Sequence, residues 1–85
     1  MNILRNIPTS ERAKVVRSVL NIDKNLHKTH LIEKDIVYLF DLWNEYVQPS
    51  NPQDINCKGC RTSVFGRYKF YVKEWKEWSK QEASL

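Results

Sequence analysis

Glycine is scarce in this 85-residue sequence, and long apolar runs are missing from it. With only two glycines, it has neither a phosphate-binding glycine loop nor a nucleophile elbow. Its longest apolar run has five residues, from Ile36 to Phe40, whereas spanning a bilayer takes about 18 to 20. The first eight residues include Arg5 and lack an apolar h-region, so no signal peptide is predicted. We therefore expect a cytoplasmic protein that has no membrane partner.

Enzymatic machinery is also lacking. The two histidines fall in a predicted linker, and no Ser/His/Asp trio or pair of acidic residues stands out. We therefore predict that the protein is not an enzyme and has no small-molecule substrate. A binding or assembly role is the remaining class.

Three prolines, Pro8, Pro49 and Pro52, divide the sequence into helical blocks. The first helix is predicted over residues 10–20, where Thr9 or Ser10 can cap it. The second is predicted over residues 30–48, and the third runs from between Asn56 and Arg61 to about Lys80. No alternating strand pattern competes with this periodicity. The sequence therefore predicts one all-α domain over residues 1–85, a small three-helix bundle with a long basic C-terminal helix.

Apolar side chains follow the helical repeat in the second and third blocks. In the third, Val64, Tyr68, Tyr71, Trp75 and Trp78 step by four, three, four and three residues. Such a heptad stripe must face other apolar surface. It predicts either a core within the chain or a seam with a second copy.

Charge is distributed unevenly along the chain. Residues 1–28 and 57–85 each have a net charge of +4, whereas residues 29–56 have −4. The oppositely charged segments either pack side by side or leave a basic face for an anionic partner. On a continuous third helix the lysines would form one ridge, which predicts phosphate contacts with DNA or RNA. The predicted nucleic-acid-binding residues are Arg61, Arg67, Lys69, Lys73, Lys76 and Lys80. An ordinary solvated helix face is the other interpretation.

Aromatic residues suggest a second kind of surface. Phe70 projects near the polar side of the third helix, where an exposed ring could stack on a base or anchor a protein. Trp75 and Trp78 could form an oligomer seam. Phe70, Trp75 and Trp78 are therefore the predicted protein-interaction residues, for a protein partner or a homo-oligomer.

The segment from Cys57 to Cys60 has the spacing of a metal-chelating or redox-active pair. With His27 and His30, the cysteines could complete a two-His, two-Cys zinc site. Reversible disulfide formation and reduced thiols that pack or cap a helix are the alternatives. Zinc is the one cofactor that the sequence suggests.

The stretch from Leu39 to Trp75 combines an aromatic helix end, a Pro/Asn loop, the CxxC pair and a basic aromatic helix. It resembles small helical proteins of tailed bacteriophages, including some associated with DNA packaging or virion assembly. The resemblance implies an accessory protein that binds DNA or other proteins in the host cytoplasm or the virion. We therefore predict nucleic-acid binding through the basic C-terminal helix. The alternative is a protein-interaction module, such as a virion component or an inhibitor of a host factor.

Overall fold

The computed structural model describes the backbone of residues 2–83 and the side chains of residues 2–80. This part of the chain contains four α-helices and no strand, which confirms the all-α prediction. The helices are α1 (Arg12–Lys24), α2 (Thr29–Leu42), α3 (Lys58–Val72) and α4 (Lys76–Ala83). Two 3-10 turns, Ile3–Asn6 and Thr9–Glu11, precede α1, and a π-helical turn, Trp43–Val47, continues α2. None of the described helices is long and apolar enough to span a membrane.

Helix α1 continues one turn beyond its predicted end near residue 20. Asn21 lies in the added turn, although asparagine side chains compete for backbone hydrogen bonds. Its amide nitrogen instead donates to a carboxylate oxygen of Asp35 at 2.6 Å and to the Leu31 carbonyl at 3.1 Å. Ile22 is buried in the added turn. Tertiary contacts therefore extend α1 against the local preference.

The second predicted helix is found as α2 and the π-helical turn, after which comes Pro49. The Gln48 N–H donates to the Trp43 carbonyl at 2.9 Å, the five-residue spacing of a π-helix. The following loop is held by Asn44, which donates to the Gln53 carbonyl at 3.1 Å and accepts from the Gln53 N–H at 2.8 Å. This reciprocal pair returns the chain towards the start of α3.

The single long third helix is not confirmed, because a turn over residues 73–75 separates α3 from α4. The Asn2 side chain donates to the Tyr71 carbonyl at 2.9 Å, so the N-terminal segment caps the end of α3. Beyond the turn, α4 packs against α1. Trp75 lies in this turn and Trp78 on α4. Turning the chain places both in the core, where they are 6% and 7% exposed.

One apolar core joins all four helices. At its centre, Trp43 and Tyr68 meet edge to face with their ring centroids 5.4 Å apart. The Tyr68 hydroxyl donates to the Leu39 carbonyl at 2.6 Å, so this polar atom is satisfied although the residue is fully buried. The predicted stripe of the third helix is therefore core within one chain.

Candidate functional site

The six predicted phosphate-binding cations do not lie along one straight ridge. The turn after α3 divides them between two helices. Arg61, Arg67 and Lys69 belong to α3, Lys73 to the turn, and Lys76 and Lys80 to α4.

Arg61 is engaged in contacts within the chain. Its Nη2 lies 3.2 Å from Oε1 of Glu33 on α2, and its Nε donates to the Ile55 carbonyl. The two side chains of the ion pair are 30% and 47% exposed. Arg61 therefore ties α3 to α2, and a phosphate would have to compete with Glu33 for it.

Lys69 is also paired. Its Nζ lies 2.8 Å from Oδ1 of Asp23, near the end of α1. The two side chains are 40% and 38% exposed, so water weakens this pair. The oppositely charged neighbours that the sequence suggested are therefore present at two positions of α3.

The other two predicted cations of α3 and the turn, Arg67 and Lys73, flank an exposed ring. Arg67, Phe70 and Lys73 follow one another at three-residue intervals, and all three are exposed. Phe70 is 66% exposed and contacts Tyr71 edge to face, with ring centroids 5.1 Å apart. Lys76 is exposed on the first turn of α4. We call the four residues Arg67, Phe70, Lys73 and Lys76 the basic corner.

No carboxylate forms an ion pair with the three cations of the basic corner within the described residues. Glu74 lies in the same turn, and its Oε2 accepts from the Asn2 side chain at 3.0 Å. Lys80 is exposed one turn further along α4. The corner thus combines positive charge with an exposed aromatic face, which suits a phosphate backbone with an unstacked base.

The two tryptophans predicted to contact a partner are part of the core. Trp75 also packs against Arg12, whose guanidinium carbon lies 5.0 Å from the centroid of the Trp75 ring. Such attraction between a cation and an aromatic face stabilises the ring in addition to its burial. Of the three predicted protein-interaction residues, Phe70 alone is on the surface.

The predicted zinc site is not assembled. His27 lies in the connection before α2 and His30 in its first turn, and both are exposed. Cys57 and Cys60 lie at the start of α3. Within the described residues, no three His, Cys, Asp or Glu side chains are grouped to hold a metal ion. The His/Cys spacing allowed a site that the fold does not form.

The cysteines instead organise the start of α3. Cys57 is the N-cap residue, and its sulfur accepts the Cys60 N–H at 3.2 Å. A thiol of the pair therefore caps α3, and this contact leaves its redox chemistry open. Hydrogen bonds from the Cys60 thiol, and then from the Cys60 and Gly59 amides, lower the pKa of Cys57. The hydrogen bond that the Cys60 thiol donates to Cys57, together with burial, raises the pKa of Cys60.

An apolar groove of about 260 Å³ opens between α3 and the other two long helices. Its lining includes Leu26 from just beyond α1, Ile32 and Ile36 of α2, and Phe65 of α3. Leu26 is 55% exposed at its edge. No sequence pattern indicated this groove, because its walls come from distant segments that each satisfy the ordinary helical repeat.

In comparisons with known proteins, no family model, curated protein or solved structure gives a significant match to this chain. The resemblance to phage proteins therefore remains a prediction.

Proposed function

We propose that the protein is a small phage-type accessory protein that binds nucleic acid through the basic corner, in a role such as DNA packaging. The observation that carries this proposal is the placement of Phe70. It is the most exposed large hydrophobic residue of those described, and it lies between two exposed cations, Arg67 and Lys73.

Each component of the corner has a distinct physical role. The cations Arg67, Lys73 and Lys76 neutralise phosphates and release condensed counterions, which provides affinity without sequence preference. Phe70 offers a flat apolar face to a base, and such stacking contributes about 1–3 kcal/mol per base. Because bases in a duplex are already stacked on one another, single-stranded nucleic acid is the preferred ligand.

Arg61 and Lys69 have a secondary role in this proposal. Each would have to leave its carboxylate, Glu33 or Asp23, before it could bind a phosphate. Lys80 extends the cationic surface along α4. The number of phosphates bound first is therefore close to three, rather than the six that a straight ridge would contact.

The salt dependence of binding distinguishes three contacts from six. For a single strand the slope of log affinity against log salt is about −0.7 per phosphate, or about −2.1 for three contacts. Raising salt from about 50 to about 200 mM then weakens binding about 20-fold, against about 300-fold for six contacts. The measurement is fluorescence anisotropy with a labelled oligonucleotide of mixed sequence. If the protein does not bind the oligonucleotide even at low salt, the proposal is wrong.

Charge reversal tests the location of the site. The double change Lys73→Glu and Lys76→Glu should abolish binding at about 100 mM salt, because two attractive contacts become repulsive. The double change Lys28→Glu and Lys34→Glu is the matched control, since it alters the net charge equally at two exposed lysines outside the basic corner. Equal loss of affinity in the two proteins would show that only overall charge matters, and it would contradict a site at the basic corner.

Release of Lys69 provides a gain-of-function test. Asp23→Asn removes the carboxylate that Lys69 contacts, so the lysine becomes available as a further phosphate ligand. We expect tighter binding at low salt and a slope steeper by about 0.7 for a single strand. An unchanged slope would place Lys69 outside the reach of the bound strand.

The second candidate function is a protein-interaction module, acting as a virion component or as an inhibitor of a host factor. The apolar groove between α2 and α3 favours it, because an apolar side chain of a partner could fill that space. Such docking would be much less sensitive to salt than phosphate binding. A pull-down at about 50 and about 200 mM salt separates the two functions, since a protein partner would be retained at both.

A further inference from the structure

The two cysteines of α3 are placed for chemistry with each other. Cys57 has an extended backbone, with φ of −88° and ψ of 116°, whereas Cys60 lies within the helix. This N-cap conformation turns the Cys57 side chain over the first helical turn, where its sulfur meets the Cys60 N–H at 3.2 Å. The capping contact therefore brings the first sulfur to the residue that carries the second.

The two cysteines are accessible to solvent, and hydrogen bonds fix the backbone around them. Both cysteines are partly exposed, and neither forms a disulfide. The Cys57 N–H donates to the Asp54 carbonyl at 3.1 Å, and the Cys57 carbonyl accepts the Arg61 N–H at 3.0 Å. The backbone on both sides of the pair is thus fixed while the sulfurs remain within reach of a small reagent.

We propose that Cys57 and Cys60 are a redox-active dithiol that reduces small disulfides, with Cys57 as the attacking thiolate and Cys60 as the resolving thiol. This activity is separate from nucleic-acid binding, because the dithiol is at the opposite end of α3 from the basic corner.

The reaction balances with one disulfide molecule as the oxidant. The Cys57 thiolate attacks one sulfur of the substrate, forming a mixed disulfide and releasing the other half as a thiolate, which takes up a proton. The Cys60 thiol then loses its proton and attacks the Cys57 sulfur. This step forms the Cys57–Cys60 disulfide and expels the second half of the substrate. Overall, the dithiol is oxidised by two electrons and the substrate is reduced to two thiols.

Hydrogen bonding assigns the two roles. Hydrogen bonding by the Cys60 thiol and by the Cys60 and Gly59 amides lowers the pKa of Cys57, which increases its thiolate fraction near neutral pH. The same thiol contact, together with burial, raises the pKa of Cys60. Asp54 opposes the effect at Cys57, where its negative charge is the smallest contribution. Cys57 is therefore the residue that attacks first.

The test uses the reduced full chain and oxidised glutathione as the probe. Mass spectrometry should show the loss of two hydrogens, with no glutathione retained and no thiol left to alkylate. Cys60→Ser should trap one glutathione on Cys57. In Cys57→Ser, attack by Cys60 should be at least about tenfold slower than attack by Cys57 in Cys60→Ser.

Folding is controlled within the same set of proteins. Serine is itself a good N-cap residue, so Cys57→Ser should keep α3 and give the parental far-ultraviolet circular dichroism. Lys34→Glu, an exposed change on α2, should exchange with glutathione as the parent does. Stable glutathione adducts on the parent, or equal rates for the two single-cysteine variants, would overturn the proposal.

Discussion

Replacing Trp75 and Phe70 by alanine tests which aromatic residues build the core and which face a partner. The sequence grouped them as one interaction set, but Trp75 is 6% exposed and Phe70 is 66% exposed. Burying a side chain removes apolar surface from water, and deleting it also leaves a cavity. The two variants should therefore differ strongly in stability.

Trp75→Ala should lower the free energy of unfolding by about 3–5 kcal/mol. A chain of this length has a total stability of about 4–13 kcal/mol, so this is a large share of it. The change also removes the contact between the ring and the Arg12 guanidinium, whose carbon lies 5.0 Å from the ring centroid. This loss places the cost in the upper part of that range. Phe70→Ala should change stability by no more than about 0.5 kcal/mol, because most of the ring is already in water.

Urea unfolding followed by far-ultraviolet circular dichroism measures both variants without relying on tryptophan fluorescence. Sedimentation of each protein at two concentrations shows whether self-association changes as well. A Trp75→Ala protein with parental stability but weakened self-association would refute the assignment of Trp75 to the core. It would restore the predicted oligomer seam.

Three further changes probe side chains that make hydrogen bonds. Tyr68→Phe should cost about 1 kcal/mol at pH 7, since it removes the donor to Leu39. Burial raises the pKa of Tyr68 above its usual 10.0, so the stability linked to its protonated form is complete below pH 10 and is lost as pH rises further. Above pH 10 the parent should therefore lose up to about 1.4 kcal/mol of stability per pH unit that Tyr68→Phe does not lose. If the stability difference between the two proteins in urea is the same below and above pH 10, this expectation is wrong. Asn44→Ala should cost about 1–2 kcal/mol by releasing both bonds to Gln53, seen as a lower urea midpoint, whereas Asn44→Asp should retain the acceptor half. Asn2→Ala should cost about 1 kcal/mol and speed amide exchange at the end of α3, and unchanged exchange there would argue against capping by Asn2.

Much of the fold follows from local pattern. The spacing of apolar residues from Ile32 to Val47 predicts α2 and its continuation to within about a residue at each end. The stripe of Val64, Tyr68 and Trp75 likewise predicts which side of the last third of the chain is buried. Helical periodicity encodes burial directly, because side chains three and four residues apart share a face.

The break between α3 and α4 could not be predicted in this way. Residues 73–75 contain no glycine or proline, and the stripe continues through them without a change of period. The turn is imposed by tertiary contacts, since Trp75 and Trp78 are buried against α1 and Asn2 caps the end of α3. The Asn2–Tyr71 hydrogen bond joins residues 69 positions apart, which no local pattern records.

The candidate sites were predicted unevenly for the same reason. Exposure of Phe70 follows from its angle on one helix, and the structure agrees. Engagement of Lys69 with Asp23 depends on how α3 crosses α1, so a single-helix projection counted it as available. The zinc hypothesis failed similarly, because it required two segments to meet that the fold does not bring together.

The two ion pairs of α3 determine which of its predicted phosphate-binding cations lie beside a carboxylate. Paired cations still attract an anion, but each must exchange a carboxylate for a phosphate, so the net gain from that contact is small. Exposed pairs contribute only about 0–1 kcal/mol to stability, so they do little to hold the fold together. Their larger effect is on the surface field, since Glu33 and Asp23 offset Arg61 and Lys69 while Arg67, Lys73 and Lys76 remain without an ion-pair partner in the described chain. In the proposed complex, stacking on Phe70 and phosphate binding by its neighbouring cations act on the same nucleotide.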